Sequence, residues 1–471
     1  MTPSVFALLV VLGGVLATAE LTLYLQLVFC LFGATAAVAL PALGGASVTP
    51  SVLFLPFLLV RAWRERGARL LQLPKAGVWL GLLAVWALFT SVFMPRLLRG
   101  ELQVLTVDRN VGDGVVMIPL GPVSGNITQS CYALGGLAAF LGVRALLLAP
   151  GRVNVFRDGV LLLTALDCGA ALLNLAEFHL GFPSLLEGVR TASYANFSAY
   201  EEAGLMRIQG TFAETSAFAG FTLPLFAFCT SLWLDRVRPR YSGALALLTL
   251  TLLALSTSGT AYASLGLYLA GLALYALVQA YRRGRLASRV GVLAVGWVAL
   301  TLVAAVLLFK PAIATGIAEF IDATVLNKLQ SQSGLQRSSW NVQAFANFLQ
   351  SYGLGAGLGS VRASSFPLVL LSNVGIVGTL LFCGFLLRVC GAAGKGAALE
   401  NTTQRAARQA LLALLVAASV SGGVFDLGVL FYAFAAASSL APAFAAARAQ
   451  HAMSSWSEPL PANLSTGKVR A

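Results

Sequence analysis

The chain has 471 residues, of which 58% are hydrophobic and 10% are charged, and its mean hydropathy is +0.83. Because soluble globular proteins carry about 25% charged residues, this composition excludes an ordinary soluble protein and indicates a polytopic membrane protein. The net charge of +13 is spread over several short segments between apolar runs. A nucleic-acid-binding protein would gather that charge on one soluble face, so this class is excluded as well.

Apolar runs long enough to cross the hydrocarbon layer, which takes about 20 residues, recur along most of the chain. They predict an all-α, polytopic integral membrane protein with about 12–13 transmembrane helices and one large external loop. The first run is short and lacks a basic n-region, so we expect no cleaved signal peptide. The predicted spans are 4–18, 22–41, 48–63, 76–94, 131–149, 159–177, 211–234, 243–258, 262–281, 290–309, 367–389, 408–424 and 427–447.

The basic connecting segments predict the orientation of these helices, because segments rich in Lys and Arg stay in the cytoplasm. The segments RAWRERGARLLQLPK, DRVRPR, YRRGRLASR and GKGAALENTTQRAAR alternate correctly with acidic or neutral loops. We therefore expect residues 1–309 to form transmembrane helices with two shorter external loops, and residues 310–366 to form the large external loop. Residues 367–450 are expected to form the C-terminal transmembrane helices, and residues 451–471 a disordered cytoplasmic tail.

The cysteines and histidines give no sign of a disulfide or a metal centre. All six cysteines lie within or at the edge of apolar spans, none belongs to a Cys-x-x-Cys pair, and the two histidines are His179 and His451. Core packing is the expected role of such cysteines. We therefore predict no metal site, and histidine is a weak basis for any mechanism.

The large external loop has helical patterns of its own. Its first part, GIAEFIDATVLNKLQSQ, spaces apolar residues as in a short amphipathic helix on the membrane surface. In its second part, RSSWNVQAFANFLQSY, four side chains share one helical stripe: Trp340, Ala344, Phe345 and Phe348. The following GLGAGLGS lacks the G-x-G-x-x-G spacing and the preceding strand of a dinucleotide site. It is either a flexible turn or a backbone that comes close to a ligand or another helix.

Four cations on the external side lie near the predicted membrane edge: Arg207, Arg337, Arg362 and Lys328. Each one alone is accounted for by a side chain that snorkels toward lipid phosphate. Together they predict a binding site, because the planar guanidinium fork of arginine matches phosphate oxygens. Several of them converging on one water-poor pocket would bind a diphosphate.

A carboxylate, Glu214, follows Arg207 by seven residues, where a polar segment turns into an apolar helix. An acid at the centre of a membrane helix costs about 2.5–3.5 kcal/mol on insertion scales, so it needs a partner or a wet cavity. One interpretation is a structural ion pair on one helix face, since seven residues are almost two helical turns, although Gly210 interrupts the pattern. The other is a carboxylate that orients a cation or accepts a proton.

Further acids in or beside apolar spans keep a transporter open as an alternative. They are Glu20, Asp167, Glu177 and Asp426, and a chain of such residues would relay protons. Many secondary transporters, however, show a pair of Gly/Pro-broken helices in matching halves of the chain. This sequence shows no such pair.

Two segments resemble a known family. The first segment, MRIQGTFAETSAFAGF, contains Arg207, Gly210 and Glu214. It is similar to the R-x-x-G-x-F-x-E-(P/T)-S-x-x-A segment of bacterial polysaccharide polymerases of the Wzy type, which are relatives of the O-antigen ligases. The second segment is similar to the second signature of these polymerases. It consists of RSSWNVQAFANFLQSYGLGAGLGSVR and the later LSNVGIVGTLLF. Its matching residues here are Arg337, Trp340, Gly355, Gly357, Gly359, Asn373, Gly375 and Gly378. The resemblance covers residues 200–390 in detail and the rest of the chain in architecture.

This resemblance implies an activity and residue roles. Proteins of this family take a glycan linked to undecaprenyl diphosphate on the outer, periplasmic face of the bacterial inner membrane and move it onto an acceptor hydroxyl, without metal or nucleotide. By resemblance, the four cations named above would hold the departing diphosphate. A base would assist the hydroxyl, with Glu214 as the first choice and Asp322 as the second. The implied partners are membrane lipid, a flippase and a chain-length regulator.

Two departures from the family pattern favour a polymerase over a ligase. O-antigen ligases usually carry an arginine in the turn that reads LSTSGTAYASL here, where this chain has Gly259 and Thr260, and a histidine in the large loop, where 310–366 has none. We therefore expect a polymerase that joins lipid-linked repeat units into exopolysaccharide, capsule or O-antigen. A ligase for another acceptor is the alternative within the family. A secondary transporter or polysaccharide flippase is the alternative from another class.

Overall fold

The computed structural model describes residues 2–40, 46–107, 115–181, 184–193, 201–202, 205–283, 332–391 and 399–440, and over these residues the chain is mostly helical. The α-helices are α1 (Val5–Leu16), α2 (Ala19–Phe29), α3 (Pro50–Leu53), α4 (Leu55–Arg66), α5 (Lys75–Leu97), α6 (Ser124–Leu147), α7 (Arg152–Leu180), α8 (Thr215–Leu234), α9 (Pro239–Leu255), α10 (Gly259–Arg283), α11 (Gln332–Gln350), α12 (Phe366–Cys390), α13 (Leu399–Ser421) and α14 (Gly428–Ser438). A 3₁₀ helix, Gly67–Leu71, follows α4.

Short antiparallel strands connect some of these helices. The strands β1 (Thr2–Pro3), β2 (Val38–Leu40) and β3 (Ala46–Val48) form one sheet in that order. The strands β4 (Gln103–Val107) and β5 (Val115–Pro119) pair with Leu105 opposite Met117, and β6 (Glu201–Glu202) pairs with β7 (Leu205–Met206). The strands β4 and β5 lie in the loop that follows α5.

Five of the described helices are long and apolar enough to cross a membrane: α5, α6, α7, α8 and α12. Four shorter helices are apolar too, namely α1, α2, α9 and α14. These findings confirm a helical, membrane-embedded protein, while the predicted total of 12–13 spans stays a prediction. The predicted span 290–309, the first helix of the large loop and the tail 451–471 lie outside the described residues.

Two predicted spans near the N-terminus differ from the structure. The span 22–41 is helical only as far as Phe29, and its last residues form β2. The backbone between them leaves the helix because other segments satisfy its polar groups. Ala192 donates its N–H to the Ala34 carbonyl at 2.9 Å, and Thr35 donates its hydroxyl to the Val189 carbonyl at 2.5 Å. The span 48–63 is divided into α3 and α4.

The helices pack around an apolar core in which α14 is buried along almost its whole length. Phenylalanine rings join it to its neighbours: Phe431 lies 6.2 Å from Phe382 of α12, and Phe434 lies 5.8 Å from Phe228 of α8, between ring centroids. Small residues permit this close packing, since a Cβ on Gly136 of α6 would overlap the Tyr432 ring.

The two ends of the bundle differ in their charge. One end, the ion-pair end, contains the start of α7 and the end of α8, and its salt bridges join helices that are far apart in the sequence. Arg152 bridges Glu65 at 3.1 Å and Arg405 bridges Asp235 at 3.1 Å. The opposite end, the loop end, contains the segment 205–214, the hairpin β4–β5 and the segment 360–365. The charge pattern predicts that the ion-pair end faces the cytoplasm.

Candidate functional site

The segment 205–214 brings Glu214 to the loop end of α8. Helix α8 begins at Thr215 with Glu214 as its N-cap, and Gly210 has a positive φ of 55°. A left-handed backbone at Gly210 ends any continuous helix through this segment. The interpretation that Arg207 and Glu214 share one helix face is therefore wrong. Glu214 is exposed and accepts a hydrogen bond of 2.5 Å from the Ser216 hydroxyl.

Two residues that the sequence analysis did not assign to the site hold this segment in place. The Asn174 side-chain oxygen, buried in α7, accepts the backbone N–H groups of Gln209 and Gly210 at 3.0 and 3.2 Å. The buried Arg190 guanidinium donates to the Gly210 carbonyl, with Nε at 3.0 Å. The sequence could have pointed to Asn174, because this polar residue shares a helical face with Asp167 in an otherwise apolar span. Nothing in the sequence pairs Arg190 with Gly210.

Helix α11 carries Arg337 and Trp340 on the side that faces the protein. Both side chains are half-buried, and Ala344 on the same side is fully buried. The helix itself was predicted correctly. The predicted stripe of Trp340, Ala344, Phe345 and Phe348 was partly wrong, since Phe345 is 46% exposed. The amide of Asn347, rather than an aromatic ring, fills the buried position.

Arg362 is fixed at the centre of the loop end. Its backbone N–H donates to the Leu105 carbonyl of β4 at 2.9 Å, and its guanidinium carbon lies 4.9 Å from the centroid of the Trp340 ring. That distance is typical of a cation–π interaction. The guanidinium also lies beside Gly423, between α13 and α14, where an added Cβ would be 3.8 Å from Nη2.

The electrostatic environment of Arg362 shows which charged groups converge on it. Burial lowers the pKa of the Arg362 guanidinium, the Glu214 carboxylate raises this pKa, and the Arg337 charge lowers it. Glu214 and Arg337 therefore lie within electrostatic range of Arg362, although they come from segments far apart in the sequence. Arg207 lies half-buried on the segment of Glu214, and its convergence with the other arginines stays a prediction. Lys328 and Asp322 lie outside the described residues.

The glycine-rich segment after α11 is a close approach between helices. Gly355, Gly357 and Gly359 all have positive φ angles. An added Cβ on Gly355 would lie 2.6 Å from the Gly375 backbone nitrogen, and one on Gly357 would lie 2.8 Å from the Thr90 carbonyl oxygen. Of the two interpretations of GLGAGLGS, approach to another helix is therefore confirmed.

Asn373 of α12 organises the backbone that leads to Arg362. Its side-chain oxygen accepts the N–H groups of Gly359 and Val361 at 2.9 and 3.2 Å, and its side-chain nitrogen donates to the Val361 carbonyl at 2.9 Å. Asn126 at the start of α6 supports the same segment by donating to the Leu358 carbonyl at 2.7 Å. Asn373 and Asn126 thus hold this segment from two helices, and the sequence analysis did not single out Asn126.

The acids that suggested a proton relay have separate partners. Asp167 accepts the Thr222 hydroxyl at 2.8 Å, and Glu177 accepts the Leu185 N–H at 2.7 Å. Glu20 pairs with Arg152 at 3.5 Å at the ion-pair end. Among the described residues, no three His, Cys, Asp or Glu side chains are grouped so as to hold a metal ion.

Comparison with models of protein families and with curated proteins gives no match to this chain. The functional argument therefore depends on the site itself: two guanidinium groups and a carboxylate that come together at the loop end of a membrane-embedded bundle.

Proposed function

We propose that the chain is a membrane glycosyltransferase, a polymerase that transfers glycan repeat units from undecaprenyl diphosphate to an acceptor sugar hydroxyl. The observation that carries the proposal is the half-buried Arg362 guanidinium, which lies over the Trp340 ring and within electrostatic range of Arg337 and Glu214. Two half-buried cations near each other favour an anionic ligand, because among the described residues one carboxylate, Glu214, acts on Arg362 and leaves positive charge uncompensated. A lipid-linked diphosphate provides that charge at the membrane boundary.

The arrangement supports a simple reaction scheme. The acceptor hydroxyl oxygen forms a bond to the anomeric carbon of the donor glycan, and the bond from that carbon to the diphosphate oxygen breaks. The bonding electron pair leaves with the diphosphate, whose growing charge Arg337 and Arg362 stabilise. Glu214, exposed beside them, accepts the proton of the hydroxyl. The products are a glycan longer by one repeat unit and free undecaprenyl diphosphate.

The proposed location is the bacterial inner membrane, with the loop end on the periplasmic face. The basic ion-pair end supports this orientation. A flippase that delivers the lipid-linked donor and a chain-length regulator are the proposed partners. The resemblance of residues 200–390 to the Wzy-type polymerases points to the same reaction, and a ligase for another acceptor would use the same diphosphate site.

A transporter or flippase would use the structure differently. Broken helices in transporters bind their ligand with the exposed ends of the half-helices. Helix α12 is broken at Gly375, but the carbonyl groups before the break accept hydrogen bonds from protein donors such as Trp86. This arrangement favours a structural role for the break, and a transporter would not require Arg337 or Arg362.

Binding of undecaprenyl diphosphate to the purified protein in lipid nanodiscs tests the proposal. We expect Arg362→Ala to weaken binding about 10- to 100-fold, the equivalent of losing charge-assisted hydrogen bonds of about 1.5–3 kcal/mol. Arg240→Ala is the matched control, because Arg240 is an exposed arginine at the ion-pair end. Equal binding by both variants would contradict the proposal. Loss of activity in Asp167→Asn with Arg362→Ala unaffected would favour a transporter.

A further inference from the structure

Helix α12 is interrupted deep within its membrane-spanning length. Gly375 has φ 66° and ψ −167°, which divides α12 into two helical halves. The carbonyl groups before the break accept hydrogen bonds from outside the helix. The Ser372 carbonyl accepts the Ala356 N–H at 2.7 Å, and the Val374 carbonyl accepts the Trp86 indole N–H at 2.8 Å.

The turn that follows α11 fills this break from the loop end. The Gly353 carbonyl accepts the Ile376 N–H at 2.9 Å. Since Ile376 is ten residues into α12, it lies about 15 Å from the start of that helix at a rise of 1.5 Å per residue. A second contact gives a similar depth. Gly357 lies against Thr90, which is about 10 Å from the loop end of α5 at the same rise per residue. The turn therefore reaches into the hydrocarbon depth of the bundle.

The outer face of α11 carries an apolar stripe over the part that descends to this turn. Its members are spaced by three or four residues and are 46–68% exposed: Val342, Phe345 and Leu349. Nearer the loop end, the same face carries the exposed polar Ser338 and the exposed Leu335. The opposite face packs on the protein, where Gln343 donates to the Gln103 carbonyl at 2.8 Å. The face is thus apolar without interruption from Val342 to Leu349, the part of α11 nearest the turn.

We propose that residues 342–354 form a re-entrant membrane segment whose apolar stripe contacts the hydrocarbon chains of the lipid bilayer. Non-helical backbone is tolerated at membrane depth only where protein or a wet cavity satisfies its polar groups, and the break in α12 provides those partners. The stripe is continuous with the lipid-facing side of α12, since Gly353 bonds to Ile376, and Ile376 and Leu380 are exposed on that side.

This placement sets the level of the arginine site independently of any reaction. Arg337 precedes Leu349 by twelve residues, so it lies about 18 Å nearer the loop end along α11. Arg337 and the neighbouring Arg362 then lie at the level of the lipid headgroups. The segment predicted as an external loop is in part a membrane element that presents its arginines at the boundary.

Spin-label accessibility in liposomes tests the placement. Single cysteines are introduced as Ser338→Cys, Phe345→Cys, Leu349→Cys and Leu380→Cys, in a chain whose six native cysteines are replaced by alanine. We expect Phe345→Cys and Leu349→Cys to match Leu380→Cys, with high accessibility to oxygen and low accessibility to a water-soluble nickel complex. The depth should increase by about 16 Å from position 338 to position 349.

Two results would overturn the proposal. Nickel accessibility at position 349 as high as at position 338 would place the stripe in water. Low accessibility to both reagents at position 349 would mean that protein covers it, either a second copy or another chain. A labelling-free check uses a membrane-impermeant maleimide in the same background. We expect Ser338→Cys to react in intact liposomes and Leu349→Cys to react only after detergent is added, and equal reaction in intact liposomes would again contradict the placement.

Discussion

At the scale of single residues, Arg362 is the side chain on which the proposed site depends. Its backbone N–H bonds to the Leu105 carbonyl, and its guanidinium lies over the Trp340 ring. The charges of Glu214 and Arg337 act on the same guanidinium. An arginine that is partly buried beside a second arginine is costly to keep in place without a function. Its guanidinium lies next to Gly423, in the connection between α13 and α14.

Trp340 is expected to hold the Arg362 guanidinium in its binding orientation. Trp340→Phe keeps a smaller aromatic face, so we predict a modest loss of undecaprenyl diphosphate affinity, up to about 5-fold. Trp340→Leu removes the ring, and the loss should approach that of Arg362→Ala. Titration of each variant in lipid nanodiscs with undecaprenyl diphosphate measures the two affinities. Equal affinities for the Phe and Leu variants would show that the cation–π contact does not position the arginine.

Glu214 has two candidate roles that a single substitution separates. Glu214→Gln keeps the size of the side chain but removes its charge and most of its basicity. If Glu214 is the base, polymer formation should fall by about 10²–10⁴-fold, while undecaprenyl diphosphate binds at least as well as before. If Glu214 orients Arg362, affinity and turnover should fall together. Full polymer length at the normal rate would defeat both roles.

At the scale of elements, the glycine-rich segment 353–359 is a rigid connection between α11 and α12. Its glycines adopt left-handed backbone angles, and its neighbours are the backbones of α5, α6 and α12. Asn373 and Asn126 bond to the same segment from two different helices. The segment therefore determines where Arg362 lies, although it contributes no charged group itself.

Alanine substitution distinguishes strain from close approach in this segment. Gly353 and Gly357 both have positive φ, but an added Cβ on Gly353 meets only the Phe348 ring at 3.7 Å. Gly353→Ala should lower the free energy of unfolding by about 1–2 kcal/mol, the cost of a left-handed backbone. Gly357→Ala should lower it by a further 1–3 kcal/mol or so, because of the overlap with α5. Thermal unfolding in detergent compares the two, and equal shifts would contradict a close approach.

At the scale of the whole molecule, the bundle separates its charges between two ends. The ion-pair end joins α4, α7, α8 and α13 through salt bridges, and the loop end gathers the proposed site. Salt bridges such as Arg405–Asp235 neutralise only part of the basic charge at the ion-pair end. The surplus positive charge fits a cytoplasmic face with anionic lipid.

Site-directed labelling checks this orientation. Ser333 lies in the first turn of α11 at the loop end, and Gly67 lies between α4 and the segment that leads to α5. We expect an impermeant thiol reagent added to intact cells to modify Ser333→Cys and not Gly67→Cys, against a background without native cysteines. The reverse pattern would place the proposed site on the cytoplasmic side and remove its access to a periplasmic donor.

The sequence by itself determined the membrane class, because hydrophobicity along the chain is a local property that each span carries alone. It also predicted α11, since the spacing of Trp340 and Ala344 is a local helical signal, and it identified Arg337, Arg362 and Glu214 as candidates. It did not predict that the helix within the span 22–41 ends at Phe29, because the hydrogen bonds that replace the helix there are made with Val189 and Ala192, which are distant in the sequence.

The tertiary structure alone decided which candidates meet. Arg362 is placed by Leu105, Trp340 and Asn373, and each of these contacts joins segments that only folding brings together. The same holds for the break in α12, where Trp86 and Gly353 satisfy backbone groups that a local pattern would leave inside a continuous helix. In the membrane such groups must find partners within the protein, so the site and the re-entrant segment depend on long-range hydrogen bonds that a local sequence pattern does not specify.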